Sequence, residues 1–336
     1  MNSLSNSPIF RKKVSPEIVF SLNNKLTLTN PREDMIGQLY VCNECGEVLT
    51  FNEDGNYSTF CTIGGMPNCI AFGPSNNSIY IADLMNKLVY EKPMEKDKDK
   101  EVTSIFKDYC GVSLKGPTSL VRSKEDDYII AADAGYFGSS TINNPSGSIY
   151  LYDLNNSVLR PLILNTLAYP CDIYHDKEED VFYICEMLNN RVLRMVQSPK
   201  GVFHSSIFYT FNGKLGPSAI TMDEIGNIYV SRSDYFDKNK KNNNGIISII
   251  TKEGNLVGEI IVEGYSEING LLIPRNSGKD ESQKNIQNGN GNGNGNGNDT
   301  LSSNVIYFTD KNFSGVLKIK LSLVSQDLEK LQEKNY

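Results

Sequence analysis

Along most of the chain, apolar and polar residues trade places in short runs rich in β-branched and aromatic side chains. Each run is closed by Asn, Asp or Gly. Alternation with a period of two, bounded by turn formers, predicts β-strands. One phrase recurs: an apolar strand with an aromatic residue, a polar turn often opened by an acid, and a second apolar strand. Copies begin at Leu39 (LYVCNECGEVLTF), Ile79 (IYIADLMNKLVYE) and Tyr128 (YIIAADAGYFG, resuming as GSIYLYD). Others begin at Phe182 (FYICEMLNNRVLRM), Ile228 (IYVSRSDYFD, resuming as GIISIIT) and Ile306 (IYFTDKNFSGVLKIK).

A second phrase precedes most copies: a proline, small residues, then an apolar run. It occurs at Pro67-Asn68-Cys69, Pro117-Thr118-Ser119, Pro170-Cys171-Asp172 and Pro217-Ser218-Ala219. At Ser266-Glu267-Ile268-Asn269-Gly270 the proline is gone. Proline opens a strand but does not sit inside a central one, so these positions predict where each innermost strand begins. The starts of the first phrase lie 40, 49, 54, 46 and 78 residues apart. A four-stranded propeller blade takes about 40 to 45.

The expected fold is therefore all-β: a six-bladed β-propeller of four-stranded antiparallel blades spanning residues 9–323. Glu17 to Leu22 is the candidate strand that pairs with the last blade and closes the ring. The long gap is filled by an Asn/Gly-rich loop, about residues 276–303. Its Asn288 to Asn298 tract can bury nothing, so it is expected to be disordered. Met94 to Glu101 is a smaller charged loop of the same kind. In the tail, 324–336, Val324, Leu328 and Leu331 fall at helical spacing and predict a short helix.

The 336 residues carry a formal net charge of −7, with the basic residues scattered. That balance argues against nucleic acid as a partner. No run approaches the roughly 20 apolar residues of a membrane span, and no apolar leader is visible, so a cytoplasmic monomer is expected. Seven cysteines without an export signal read as reduced thiols. Cys42-Asn43-Glu44-Cys45-Gly46 looks like half a zinc knuckle, but Cys61 and Cys69 do not supply a second CxxC. It also sits where other repeats have a hairpin turn, which is the better reading.

The stretches GGMPNCIAFGPSNNSIYIAD and GSIYLYD…LAYPCDIYHDKEEDVFYICEMLNNRVLRM resemble the superfamily of gluconolactonase/SMP-30, strictosidine synthase-like and NHL-repeat propellers, over about Leu39 to Leu321. The lactonase branch implies a divalent cation in the channel, held by Glu, Asn and Asp. Here the matching positions read as Cys171 and Ser218, the early Glu falls near Thr27, and the third-blade Asn falls near Pro117 or Thr118. A hard cation wants several carboxylate or carbonyl oxygens, so no cofactor is expected, with calcium as the alternative. The strictosidine synthase branch implies a Glu near the last blade; the nearest is Glu267, one residue out of place.

Channel-lining candidates are Asn68, Cys69, Thr118, Ser119, Cys171, Asp172, Ser218 and Asn269. Glu267 and Glu186 are the candidate catalytic carboxylates. Asp83, Asp133, Glu186 and Asp310 recur in register, which favours a repeated turn bond to backbone amides. His175, read into the polar turn before Val181, and His204, on an outer strand, do not form a serine-hydrolase arrangement. Tyr136-Phe137-Gly138 and Tyr235-Phe236-Asp237 open excursions that place aromatics on one face.

The pattern thus predicts a non-catalytic or weakly catalytic propeller that binds a small ligand or a protein at the channel mouth or loop face. The alternative is a hydrolase or lactonase working in the channel. The feature that separates them is a carboxylate facing the channel from an apolar pocket, with a raised pKa.

Overall fold

The computed structural model describes residues 10–94, 102–125, 127–214, 216–233, 244–275 and 305–321. Six antiparallel sheets follow one another around a ring. Blade one runs from the channel outward as Leu28–Glu33, Leu39–Asn43, Glu47–Phe51 and Tyr57–Thr62. The innermost strands of blades two to six are Pro67–Phe72, Pro117–Arg122, Pro170–Asp176, Gly216–Met222 and Ile268–Leu272. In blades two to five a proline opens the strand or stands second in it, as the missing N–H requires; blade one differs, with Pro31 fourth in its strand, tolerated at a bulge in the ladder. Each second strand, from Leu39–Asn43 to Val305–Asp310, starts within a residue of a repeat read from the sequence.

Those second strands are buried on both faces, which is why they read as unbroken apolar runs. In blade one, Leu39 and Val41 pack toward blade six beside Phe20, Tyr307 and Val316. The alternate residues Tyr40 and Cys42 pack toward blade two beside Ile70, Ile79 and Ile81. The period of two therefore assigns each side chain to one of two neighbouring interfaces. The hydrophobic core is a set of such interfaces between adjacent blades.

The ring closes through the N-terminal segment. Glu17–Ser21 pairs antiparallel with Gly315–Lys320 and becomes the outer strand of blade six. Just before it, Phe10–Val14 adds in parallel to Leu256–Val262 as a fifth strand on blade five. One chain end thus clasps two blades formed mostly by the other, leaving fewer open sheet edges. The expected closing strand is found as read; the extra strand on blade five was not anticipated. The long Asn/Gly tract, most of the Met94–Glu101 loop and the expected tail helix lie outside the described residues. Among the described residues no helix is long and apolar enough to cross a membrane.

Phe20 is the anchor of the closing strand. It is buried and lies 5.5 Å from Phe51 and 4.8 Å from Tyr57, ring centre to ring centre. Truncating a buried Phe costs about 3–5 kcal/mol. Phe20→Ala is accordingly expected to lower unfolding free energy by about that amount in a urea titration. A midpoint equal to the parent's would mean that this strand does not close the ring.

Candidate functional site

In every blade the ladder between the two innermost strands slips by a residue near its start. The irregularities fall between Pro67 and Cys69, Pro117 and Ser119, Pro170 and Asp172, Pro217 and Ala219, and Ile268 and Gly270. Blade one has a longer one, between Thr29 and Arg32. A bulge leaves its extra residue outside the ladder and re-aims its side chain. Here each bulged residue reaches sideways to the next blade.

Asn68 donates to the Thr118 carbonyl at 2.6 Å, and Thr118 donates to the Pro170 carbonyl at 2.8 Å. The Cys171 thiol donates to the Pro217 carbonyl at 3.2 Å, and Ser218 to that of Ile268 at 2.7 Å. Asn269 donates to the Leu28 carbonyl at 3.0 Å. Thr29 and Asn30 complete the circle on the Asn68 carbonyl, at 3.0 and 2.7 Å. The blades come close enough here that Gly270 could carry no Cβ: it would stand 2.6 Å from the Asn30 nitrogen and from Pro31 Cδ.

Beyond this circle lies a charged hub. Arg32, from blade one, reaches across the channel to Asp172 on the opposite blade, Nη2 to Oδ1 at 3.0 Å. The same nitrogen is 3.4 Å from Cys69 Sγ on blade two. Asp172 also accepts from Ser119 Oγ at 2.8 Å and from the Ile173 and Ile220 amides, each at 3.0 Å. Burial works against the Arg32 charge, but Cys69 and Asp172 outweigh it and hold the guanidinium above its ordinary range. Of the eight channel-lining candidates, five form the circle, and Cys69, Ser119 and Asp172 form the hub with Arg32. Sequence reasoning missed Arg32, whose blade lacks the proline phrase.

The channel widens past the hub into a cavity of about 350 Å³, at the trailing ends of the inner strands. Ile70, Phe72, Leu120, Ile173, Ile220 and Leu271 supply apolar walls; Arg32, Glu33, Arg122, His175, Lys177 and Arg275 supply charge and polarity. A cavity of this size suits a small organic molecule. Glu33 Oε2 accepts the Arg275 backbone N–H at 2.6 Å, and the Arg275 guanidinium donates to the Tyr174 hydroxyl at 2.9 Å. Burial pushes the Glu33 carboxyl up to about 7; the Arg275 amide opposes this and neighbouring Asp34 adds to it.

His175 belongs to the inner strand Pro170–Asp176, not to the polar turn that follows it. Its ring is buried, stacked 4.1 Å from Phe182, and held between the Arg122 carbonyl and Asp180, each at 2.8 Å. Burial lowers its pKa. The apolar face of the imidazole explains why the strand runs through it. His204 lies on the outer strand Phe203–Thr210, as read.

Neither candidate carboxylate is among the residues that line this cavity. Glu186 is fully buried, accepts the Ala168 amide at 2.7 Å and pairs with Arg191. Glu267 precedes the inner strand of blade six, and its own amide donates to Asp310 at 2.7 Å. Asp83 accepts the amides of Met66, Met85 and Asn86, and Asp133 those of Lys115 and Gly116. Asp310 holds the amides of Glu267 and Asn312. The in-register acids are therefore turn clamps between a second strand and its own blade's first. In blade one the task is divided: Asn43 holds the Cys45 and Glu47 amides of the hairpin, and Glu44 accepts the Thr27 amide just before the first strand at 3.0 Å. That makes the CxxC a hairpin with Cys42 buried and Cys45 exposed.

Phe137 packs edge-on against Tyr169 at 5.2 Å, and Tyr136 is more exposed. They sit at the leading ends of the inner strands, opposite the cavity, so the aromatic excursion and the pocket do not share a face. Tyr235-Phe236-Asp237 lies outside the described residues.

The donor set is poor for a divalent cation. Cys171 and Ser218 spend their hydrogens on backbone carbonyls of the circle, and the hub carboxylate Asp172 is matched by an arginine and three hydrogen-bond donors. The amide oxygens of Asn30 and Asn269 are buried without a hydrogen-bond partner among the described residues, but two neutral oxygens fall short of the several carboxylate and carbonyl ligands a hard cation takes. Among the described residues no group of three or more His, Cys, Asp and Glu could hold a metal ion.

Comparison with known proteins agrees with this architecture. No protein-family model matches the chain. Lactonase drp35 of Staphylococcus haemolyticus is 25% identical over 151 residues, which is 42% of this chain and 43% of that protein. The match thus spans less than half of the curated relative. A gluconolactonase from Xanthomonas campestris superposes with a TM-score of 0.64 at 13% identity, covering 91% of this chain and 94% of that one. The calcium-binding protein regucalcin from Agrobacterium tumefaciens gives 0.67 at 12% identity, covering 92% and 95%. The fold is that of the gluconolactonase/SMP-30 six-bladed propellers.

The circle makes a measurable demand. Thr118→Val keeps the shape but strands the Pro170 carbonyl inside the protein, at a cost of about 1–3 kcal/mol. Chemical denaturation should show that loss. An unchanged midpoint would reduce the circle to incidental contacts.

Proposed function

We propose that this chain is a hydrolase of small lactones or esters that works in the cavity beneath the Arg32–Asp172 hub, with Glu33 as the base. The observation that carries this reading is the Glu33 carboxylate standing in a largely apolar cavity beside Arg275. It is the feature that separates an enzyme from a plain platform, supplied by a residue other than Glu267 or Glu186. The lactonase relative and the gluconolactonase-type fold favour the same class over a non-catalytic binder.

A carboxyl whose pKa lies near 7 can take a proton at neutral pH without being too weak a base. Glu33 would remove a proton from a water molecule, whose oxygen attacks the carbonyl carbon. The carbonyl electrons move onto oxygen, and the Arg275 guanidinium offers positive charge there. Collapse breaks the bond to the ring or ester oxygen, and that alkoxide takes the proton back from Glu33. Atoms balance as one water consumed for one hydroxy acid released from a lactone, or for one acid and one alcohol from an ester. The ion-holding route of the lactonase branch plays no part, because the donor set does not suit it.

A panel of γ- and δ-lactones and aryl esters tests the reading. Glu33→Gln should lower kcat/KM by about 10²–10⁴-fold, the usual reach of a general base. The parent's rate should rise with pH through about 7, as the carboxyl loses its proton. Stability should move the other way. The folded pKa stands above the ordinary carboxyl value of 4.5, so stability present at low pH is lost as pH rises through about 7. Glu33→Gln should erase that decline and melt no lower than the parent above pH 7. A panel with no turnover, but with parent and variant binding the same lactones equally, would return the cavity to a binding platform.

A further inference from the structure

The hub contains a charge that nothing in the hydrolytic reading requires to be there. Asp172 is almost completely buried, its side chain only 1% exposed, on the inner strand of blade four. A carboxylate removed from water to that degree needs a countercharge. The countercharge is Arg32, itself only 16% exposed, from the blade facing it across the channel. Around this pair, Cys69 of blade two touches the guanidinium, Ser119 of blade three donates to the carboxylate, and so does the Ile220 amide of blade five. Five blades therefore meet at one ion pair.

We infer that the Arg32 guanidinium is the resident cation of this propeller's hub, tying opposite blades across the channel as a covalently attached substitute for a bound divalent ion. The chemistry has two consequences. A guanidinium keeps its charge at every pH a protein survives, and it cannot be removed by a chelator. The planar group also has two fixed attachments: Nη2 donates to Asp172 at 3.0 Å while Nη1 donates to the Pro31 carbonyl at 3.1 Å, so it helps set the relative position of blades one and four as well as neutralising charge. This inference does not depend on the hydrolase reading, since it concerns stability and ion response and no turnover.

Thermal unfolding of the full chain tests it. The parent's midpoint should be the same in EDTA, millimolar calcium and millimolar manganese. Arg32→Ala should melt lower by roughly 5 °C or more, since breaking a buried pair leaves an uncompensated charge. Millimolar guanidinium ion should then recover part of the loss in Arg32→Ala, while potassium chloride at equal ionic strength should not. Arg32→Ala with Asp172→Asn should melt above Arg32→Ala alone, because the orphaned charge is gone. A parent midpoint that climbs with calcium or manganese would overturn the inference, as would an Arg32→Ala midpoint equal to the parent's. If Arg32→Ala does not fold, two further variants decide. Arg32→Lys, which keeps the charge without the second planar donor to Pro31, should melt below the parent and ignore divalent ions; a rise with calcium would overturn the inference. Asp172→Asn should melt below the parent, and a value equal to the parent's would likewise overturn it.

Discussion

Everything in this molecule rests on six bulges held in one circle. A sheet's own ladder satisfies its backbone groups, so a ring of separate sheets has little besides apolar packing to set one blade against the next. The bulges solve this by releasing one residue per inner strand from its ladder and turning its polar group to the neighbouring carbonyl. Packing supplies most of the energy between blades, and the circle supplies their registration. The spacing it imposes is tight enough to demand a glycine at position 270.

The same constraint decides what the channel can do. Side chains bound into the circle commit their hydrogens to neighbouring carbonyls, and the buried oxygens left over, on Asn30 and Asn269, are neutral amides that bring no charge to an ion. Cys171 and Ser218 are small donors aimed at carbonyls; carboxylates there would face those carbonyl oxygens and repel them. The cavity that holds Glu33 lies at the trailing ends of the inner strands, past Arg32 and Asp172. There burial beside apolar walls raises the pKa of the Glu33 carboxyl, with Arg275 opposing the rise.

Much of the fold was legible along the chain because burial on both faces of the second strands leaves an unbroken apolar imprint, and because proline sits in an inner strand only at its start or, as Pro31 does, at a bulge. The closing strand was legible for a related reason: Glu17–Ser21 carries strand character with no repeat of its own to join. The acids ending the second strands were legible as turn clamps because they recur in register, and a catalytic group has no cause to recur. The strand Phe10–Val14 was not legible; its polar sequence is half-exposed and its partner is chosen by position on the ring.

The site was legible only in part. Its channel residues could be listed from the proline phrase, since small polar residues after each proline must face the crowded axis. What they do there could not be read, because a bulge displaces the side chain by an amount the local sequence does not encode. Arg32 and Glu33 carry no motif. They matter because ring closure sets blade one opposite blade four and brings Arg275 of blade six beside Glu33. Sequence by itself determined the number of blades, where each second strand begins and which segment pairs with the last blade, as these follow from local periodicity. Only the tertiary structure decided which charges meet across the channel, because residues 140 or 242 positions apart become neighbours through the closure of the whole circle.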